Sequence, residues 1–240
     1  MKYIIANHKN YLMREEVLDY ITKLRPVEYN KLIICPNDIY IPYFNSNFYE
    51  IGVQNISYRE PFTGALNARQ LSSSQIKYCI VGHSDNRIFQ HETNEIISKK
   101  ICSLLDYDIT PILCIGESLE QKQNSQVYST ISVQLVECLN KISTESVEKI
   151  IFAYEPVWAI NTSDKSSDSI PTIIEINDIV IYIKNMIKEK YGVNAVVIYG
   201  GNVNLSNIDE LNQIKDLDGF LIGSSSTKVN EFNNIISKVL

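Results

Sequence analysis

Short apolar segments recur along the whole chain and alternate with longer stretches in which apolar residues are spaced three or four positions apart. A short apolar run is typical of a strand buried on both faces of a parallel sheet, and the wider spacing indicates an amphipathic helix. The apolar runs are residues 3–6, 32–35, 51–54, 79–82, 111–115, 150–154, 195–199 and 219–222. The clearest helical stretches are residues 92–105, 127–139, 173–190 and 229–240. Strand alternating with helix predicts βαβ units and a parallel sheet.

Eight such strands in a chain of 240 residues favour a closed eight-stranded parallel (β/α)8 barrel over an open sheet. An open doubly wound sheet usually carries a glycine-rich nucleotide loop, and neither G-x-G-x-x-G nor G-x-x-x-x-G-K-[ST] occurs here. No proline- or serine-rich linker divides the chain, because the polar stretch 161–169 is flanked by a strand and a helix of one unit. We therefore expect a single α/β barrel domain over residues 1–240.

Composition and charge exclude several classes of partner. The chain is 45% hydrophobic and 21% charged, with a net charge of −6 and no basic cluster, which argues against nucleic acid or an anionic membrane as the main partner. The N-terminal apolar stretch is too short for a signal peptide, and no segment approaches membrane-spanning length. The five cysteines include no Cys-x-x-Cys pair, so neither a disulfide framework nor a zinc site is indicated. We expect a cytoplasmic protein without a bound metal.

The sixth apolar run ends at a carboxylate. Glu155 follows the run, and Pro156 then prevents further strand pairing. In β/α barrels the carboxyl ends of the strands carry the chemistry. The polar stretch 161–169 comes next; it is longer than an ordinary strand-to-helix connection and rich in small residues, as a mobile lid would be. The pattern predicts a strand-end base beneath a lid.

Three further polar residues fall at, or just beyond, the ends of predicted strands: Asn7, Lys9 and His83. A closed barrel brings the ends of strands 1, 4 and 6 to a common rim, so these side chains and Glu155 can converge. An acid–base pair with a fixed cation suits proton abstraction next to a carbonyl group.

Six motifs resemble those of the triosephosphate isomerase family, in the family's order and over nearly all of the chain. They are Asn7-His8-Lys9, Val81-Gly82-His83-Ser84, Cys114-Ile115-Gly116-Glu117, the segment 155–160, Tyr199-Gly200-Gly201 and the segment 218–223. The resemblance implies an isomerase of glycolysis and gluconeogenesis that uses no cofactor. Its reaction would interconvert dihydroxyacetone phosphate and D-glyceraldehyde 3-phosphate by proton transfer through an enediolate.

The resemblance also implies roles for the strand-end residues. Glu155 would move the proton between the two carbons, and His83 would polarise the substrate carbonyl as a neutral imidazole. Lys9 would stabilise developing negative charge and attract the dianionic substrate, and Asn7 would donate a hydrogen bond to it. Around these residues, Ile160 and Leu221 would close over the base, and Glu117 would contact the hinge residue Trp158.

Phosphate requires donors, which barrels supply from the loops after strands 7 and 8. The resemblance assigns this task to Gly200, Gly201 and Asn202 in the first loop, and to Gly223 and Ser224 in the second. Asn161 on the lid would present its backbone N–H to the same anion.

Two regions depart from the family pattern, and the first is the lid together with the residue that latches it. The lid usually contains Gly-Thr-Gly, where this chain has Asn161-Thr162-Ser163, and it is longer by about two or three residues. The serine that usually follows Tyr-Gly-Gly, and that latches the closed lid in the family, is Asn202 here. Both latch partners have changed together, so the lid kinetics are expected to differ.

The second departure lies at the expected subunit contact. Residues 61–64 resemble the family's projecting loop, which inserts beside Asn7 and Lys9 of the partner subunit. A glutamate and an arginine usually pair across that interface, and this chain has Ala65 and Asn86 in their places. Loss of both partners leaves no unpaired buried charge. We expect a homodimer with an altered interface.

Two other functions remain open from the sequence. An isomerase of a phosphorylated four-carbon sugar would use the same catalytic residues, and the altered lid could accommodate one more carbon. A catalytically idle barrel that only binds a phosphorylated ligand would need no base, so the retention of Asn7, Lys9, His83 and Glu155 argues against it.

Overall fold

The computed structural model describes residues 2–27, 31–160 and 170–240. In these parts of the chain eight parallel strands form a closed barrel in which each strand pairs with the next along the sequence and the eighth pairs with the first. The strands are β1 (Tyr3–Asn7), β2 (Leu32–Cys35), β3 (Glu50–Val53), β4 (Tyr78–Val81), β5 (Thr110–Ile115), β6 (Ile151–Tyr154), β7 (Val196–Tyr199) and β8 (Gly219–Ile222). The predicted (β/α)8 barrel is confirmed.

Helices follow the strands and surround the barrel. They are α1 (Arg14–Lys23), α2 (Ala68–Ser73), α3 (Ser84–Phe89), α4 (Asn94–Asp106), α5 (Leu119–Gln123), α6 (Val127–Cys138), α7 (Thr144–Val147), α8 (Ile173–Tyr191), α9 (Ile208–Leu211), α10 (Ser224–Thr227) and α11 (Val229–Val239). Short 3-10 helices cover Asp38–Tyr43 and Val157–Ala159. No helix in the described residues is long and apolar enough to cross a membrane.

The strands are continuously apolar because both of their faces are buried. Side chains alternate across a strand, so Ile5 packs inside the barrel with Ile33, Ile80 and Ile198, whereas its neighbour Ile4 packs outward into the layer between barrel and helices. Parallel sheets with two covered faces lose the polar alternation of half-exposed sheets. Three cysteines on the strands are buried and unpaired; these are Cys35, Cys79 and Cys114.

The predicted strand bounds agree with the structure to within one residue at each end. The largest difference among the predicted helices is at α4, which begins at Asn94 rather than at residue 92. The hydroxyl of Thr93 accepts a hydrogen bond from the Ile96 N–H at 3.3 Å and so caps the helix. Glu92 stays outside the helix, where its carboxylate forms a buried ion pair with Lys100.

His8 lies in a buried aromatic cluster behind β1. Its ring is 4.7 Å from that of Tyr20 and 5.8 Å from that of Phe44. Neither ring nitrogen has a hydrogen-bond partner among the described residues, and the buried hydroxyls of Tyr20 and Tyr49 have none there either. Burial lowers the pKa of His8 from the ordinary 6.5 to about 4. The imidazole is therefore neutral in the folded protein near neutral pH.

This burial predicts a loss of stability in mild acid. Below pH 6.5 the unfolded chain protonates His8 while the folded chain does not until about pH 4, so the free energy of unfolding falls through that window. The expected loss from this residue at pH 5 is about 2 kcal/mol. His8→Phe should abolish that part of the loss, as measured by urea unfolding at pH 7 and pH 5 at one protein concentration.

His91→Asn is the matched control, because His91 is exposed and asparagine tolerates its left-handed backbone, with φ of 54°. That variant should keep the acid sensitivity of the wild type. An equal fall in stability for His8→Phe and wild type would show that His8 is not the group responsible.

Candidate active site

The predicted catalytic side chains converge on one cleft at the carboxyl rim of the barrel. Asn7 is the last residue of β1, His83 follows β4 and Glu155 follows β6 directly. The cleft is lined by Asn7, Lys9, His83, Glu155, Ile160, Gly200, Gly201, Asn202, Val203, Leu221, Gly223 and Ser224. Apart from Asn161, which lies outside the described residues, every predicted site residue is on this lining.

The backbone fixes Glu155 at the end of β6. Its N–H donates to the carbonyl oxygen of Ile115 at 2.7 Å, which extends the pairing with β5 by one residue. A Cβ at Gly200 would lie 2.6 Å from Cγ of Glu155, so only glycine at that position leaves room for the glutamate side chain. The carboxylate is held between adjacent strands and points into the cleft.

The Glu155 carboxylate is almost fully buried, at 3% exposure for the residue. One oxygen, Oε1, lies 3.6 Å from Nε2 of His83. The other, Oε2, is buried and has no hydrogen-bond partner among the described residues. Buried carboxylate oxygens are usually satisfied by donors, so an oxygen without one is uncommon.

The tautomer of His83 follows from its hydrogen bond to α3. The residue caps that helix, and its Nδ1 accepts the backbone N–H of Asp85 at 3.1 Å. An accepting Nδ1 carries no proton, so the neutral ring has its proton on Nε2, which faces the cleft. With this tautomer, His83 is arranged to donate one hydrogen bond from Nε2 into the cleft.

Lys9 places its ammonium beside the same cleft. Its Nζ lies 3.0 Å from Oδ2 of Asp85, and its backbone N–H donates to Oδ1 of Asn7 at 3.1 Å. The Lys9 side chain is 16% exposed, and the residue is on the lining of the cleft.

The comparison with known proteins agrees with this geometry. The family model described as "Triosephosphate isomerase" matches residues 2–239. The chain belongs to the triosephosphate isomerase family. It is 32% identical over 248 residues to the protein named "Triosephosphate isomerase" of Alkaliphilus oremlandii (strain OhILAs), which covers 98% of this chain and 98% of that protein. The protein of the same name from Francisella tularensis subsp. mediasiatica (strain FSC147) is 31% identical over 246 residues, covering 99% and 96%.

A second glutamate of the family pattern, Glu117, contacts Trp158. The indole Nε1 of Trp158 donates to Oε1 of Glu117 at 2.6 Å, and the hydroxyl of Tyr154 lies 3.3 Å from both oxygens of that carboxylate. Burial raises the pKa of Glu117, while these hydrogen bonds act in the opposite direction. On the other side of the indole, Nζ of Lys122 lies 3.6 Å from the ring centroid. The predicted contact between Glu117 and Trp158 is confirmed.

The loop after β7 uses its two glycines differently. The Gly200 N–H donates to the carbonyl oxygen of Tyr154 at 2.8 Å, so it extends the sheet and is not directed at the cleft. A Cβ at Gly201 would lie 2.1 Å from the Tyr199 hydroxyl. Asn202 stays on the cleft wall, where its carbonyl oxygen accepts the side-chain amide of Asn207 at 2.6 Å. Gly200 thus makes room for the Glu155 side chain, and the loop that follows faces the cleft.

Two residues that shape the site were not predicted from the sequence. Arg87 donates from Nε to the carbonyl oxygen of Gly82 at 2.6 Å and from a terminal nitrogen to that of Cys114 at 3.0 Å. It therefore fixes the left-handed turn at Gly82, with φ of 69°, directly before His83. The second is Gln54, whose side-chain amide donates to the carbonyl oxygen of Lys9. The roles of these two residues could not be predicted from the sequence, because their contacts form only when the barrel closes.

Proposed function

We propose that this family member interconverts dihydroxyacetone phosphate and D-glyceraldehyde 3-phosphate, and that Glu155 is the base. The observation that carries the proposal is the unpartnered Oε2 of Glu155, buried in the cleft that also presents His83 Nε2 and the Lys9 ammonium. A carboxylate, a neutral donor and a fixed cation are the three groups that an enolisation needs.

The proposed reaction moves one proton between adjacent carbons. Glu155 removes a proton from the carbon next to the carbonyl, and the electron pair of that C–H bond forms the double bond of the enediolate. His83 donates its Nε2–H hydrogen bond to the carbonyl oxygen as negative charge develops there, and Lys9 stabilises that charge. Asn7 donates a further hydrogen bond to the substrate. Return of the proton from Glu155 to the other carbon, together with transfer of the hydroxyl proton from the first oxygen to the second, completes the isomerisation.

We propose that the phosphate binds at the loops after β7 and β8. Gly201, Asn202, Gly223 and Ser224 line that end of the cleft, with Gly200 beneath them. Asn161 is proposed as a further N–H donor, from the segment outside the described residues. Leu221 and Ile160 lie on the same lining and would exclude water from the base.

Direct assay of both triose phosphates in D2O tests this proposal. Turnover with solvent deuterium incorporated at the reacting carbon is the expected result, because the proton on the base exchanges before it is returned. A phosphorylated four-carbon sugar in the same assay tests the neighbouring activity. An inactive protein that still binds phosphoglycolate would support a binding barrel and refute the proposed reaction.

We also propose a homodimer. Residues 61–64 form an exposed projection after β3, where Phe62 is 54% exposed. A polar cleft of about 330 Å³ beside Lys9 is lined by Asn10, Gln54, Asp85 and Asn86, among others. The exposed apolar residues Met13, Ile39 and Phe89 follow β1, β2 and β4 on the same rim. The projection of one subunit would enter the polar cleft of its partner.

The protein should therefore sediment near twice 27.4 kDa. Because Ala65 and Asn86 carry no charge, the dissociation constant should change little between about 50 mM and about 500 mM salt. Thr63→Arg should weaken the dimer and lower activity, whereas Thr144→Arg, at an exposed position on α7, should do neither. Full activity of a monomer at micromolar concentration would refute the proposal that residue 63 completes the neighbouring site.

We place the protein in the cytoplasm, where the triose phosphates are metabolised. All five cysteines are unpaired in the structure, which is consistent with a reducing compartment.

A further inference from the structure

Gln54 ties together the ends of three adjacent strands beside the catalytic cleft. It follows β3 directly, and its side-chain Nε2 donates to the carbonyl oxygen of Lys9 at 2.8 Å and to that of Cys35 at 3.1 Å. The two carbonyl oxygens only accept hydrogen bonds, so the NH2 group and not the amide oxygen must face them. Gln54 is absent from the lining of the cleft that contains Glu155 and lines the neighbouring polar cleft beside Lys9 instead.

The backbone of Lys9 needs such support. Its φ is 47°, in the left-handed region that is unfavourable for a residue with a β-carbon. Both of its backbone polar groups are held by side chains, because the N–H donates to Oδ1 of Asn7 and the carbonyl oxygen accepts from Gln54. Strained residues persist where their surroundings fix them, and they cluster at functional sites.

His8, the residue before Lys9, is hydrogen-bonded to one of the two carbonyl groups that Gln54 contacts. The His8 N–H donates to the carbonyl oxygen of Cys35 at 3.1 Å, which is also the second acceptor of Gln54. At the other end of the Lys9 side chain, Asp85 holds the ammonium at 3.0 Å. The ammonium is thus fixed between a carboxylate at its tip and an amide at its base.

We propose that Gln54 is a positioning residue for Lys9, and this proposal rests on the proposed function. The amide of Gln54 holds the left-handed backbone that directs the ammonium into the cleft. Without that hydrogen bond, the Lys9 backbone relaxes and the charge moves away from the reacting atoms. A displacement of about 1 Å in a catalytic group can lower turnover about 100-fold.

The test is Gln54→Met, which keeps the length and removes the donor. The expected result is a fall in kcat of about 10- to 100-fold with a smaller change in KM, since the charge on Lys9 acts mainly on the transition state. Gln54→Glu is made in parallel, because it keeps the shape and replaces the donor with an acceptor. A crystal structure of either variant should show φ of Lys9 outside the left-handed region or a longer distance from its Nζ to Asp85.

Asn233→Leu is the matched control for a purely structural role. The Asn233 side chain also bonds two backbone groups, donating to the Lys23 carbonyl oxygen at 2.9 Å and accepting from the Arg25 N–H at 3.0 Å, in the outer layer away from the cleft. That variant should lower the melting temperature without changing kcat. A Gln54→Met protein with unchanged kcat and an unmoved Lys9 would overturn the proposal.

Failure of the proposed function gives a different result. If the wild type does not isomerise triose phosphates but Lys9 moves in the Gln54 variants, the positioning role stands and the assigned reaction is wrong. If the wild type is active and Gln54→Met and Asn233→Leu lose kcat equally, Gln54 has no specific role.

Discussion

Glu155→Asp is expected to lower kcat by about 100- to 1,000-fold while KM changes little, because shortening the side chain by one methylene withdraws the base from the substrate carbon. In the proposed mechanism substrate binding depends mainly on the phosphate contacts, which the substitution does not change. The effect therefore falls on the transition state.

The backbone at residue 155 is held in place, so it cannot move towards the substrate to make up for the shorter aspartate side chain. The residue's N–H is bonded to Ile115 at 2.7 Å, and Pro156 follows it. A Cβ at Gly116 would lie 1.9 Å from the carbonyl oxygen of residue 155, so the two strand ends are packed tightly together. The aspartate carboxylate would thus lie farther from the reacting carbon.

The measurement is steady-state kinetics in both directions, with melting temperature as the folding check. The control is Glu137→Asp, at an exposed glutamate of α6 that accepts a hydrogen bond from Asn94, and this variant should keep full activity. Equal turnover for the wild type and Glu155→Asp would show that Glu155 is not the base.

The barrel could be predicted from the sequence because its determinants are local and repetitive. Two-sided burial makes each strand an apolar run, and β2 and β8 agree with their predicted bounds. The start of α4 differed because Glu92 pairs with Lys100, eight positions along the chain, and leaves the capping role to Thr93. A side-chain contact of that kind has no signal in hydrophobic periodicity.

The composition of the site could be predicted, but its internal geometry could not. Strand-end position and motif resemblance predicted that Lys9, His83 and Glu155 lie on one rim of the barrel. The left-handed backbone of Lys9 and the accepting Nδ1 of His83 appear only in three dimensions. Gln54 reaches Lys9 across 45 residues of sequence, and that contact exists only once the strands have paired.

Lys9→Met is expected to lower kcat/KM by about 1,000-fold or more with little change in folding. Among the described residues that line the cleft, Lys9 supplies the only ammonium or guanidinium group. The substrate brings a phosphate dianion towards a cleft that already contains the Glu155 carboxylate, and the reaction adds negative charge on an oxygen. Removing one preorganised donor from such a site costs about 100- to 1,000-fold in turnover, and here substrate attraction is lost as well.

The fold should tolerate this change because Lys9 contributes charge rather than packing. Its partner Asp85 has a side chain that is 37% exposed, so the carboxylate left behind remains solvated and no charge is stranded in the core. Lys23→Met removes an exposed ammonium that pairs with Asp19 at 2.7 Å on α1 and should leave kcat/KM unchanged. The decisive comparison is kcat/KM and phosphoglycolate affinity for the two variants, alongside their melting temperatures. A folded Lys9→Met protein with unaltered kcat/KM would make Lys9 an ordinary surface charge and would remove the cation from the proposed mechanism.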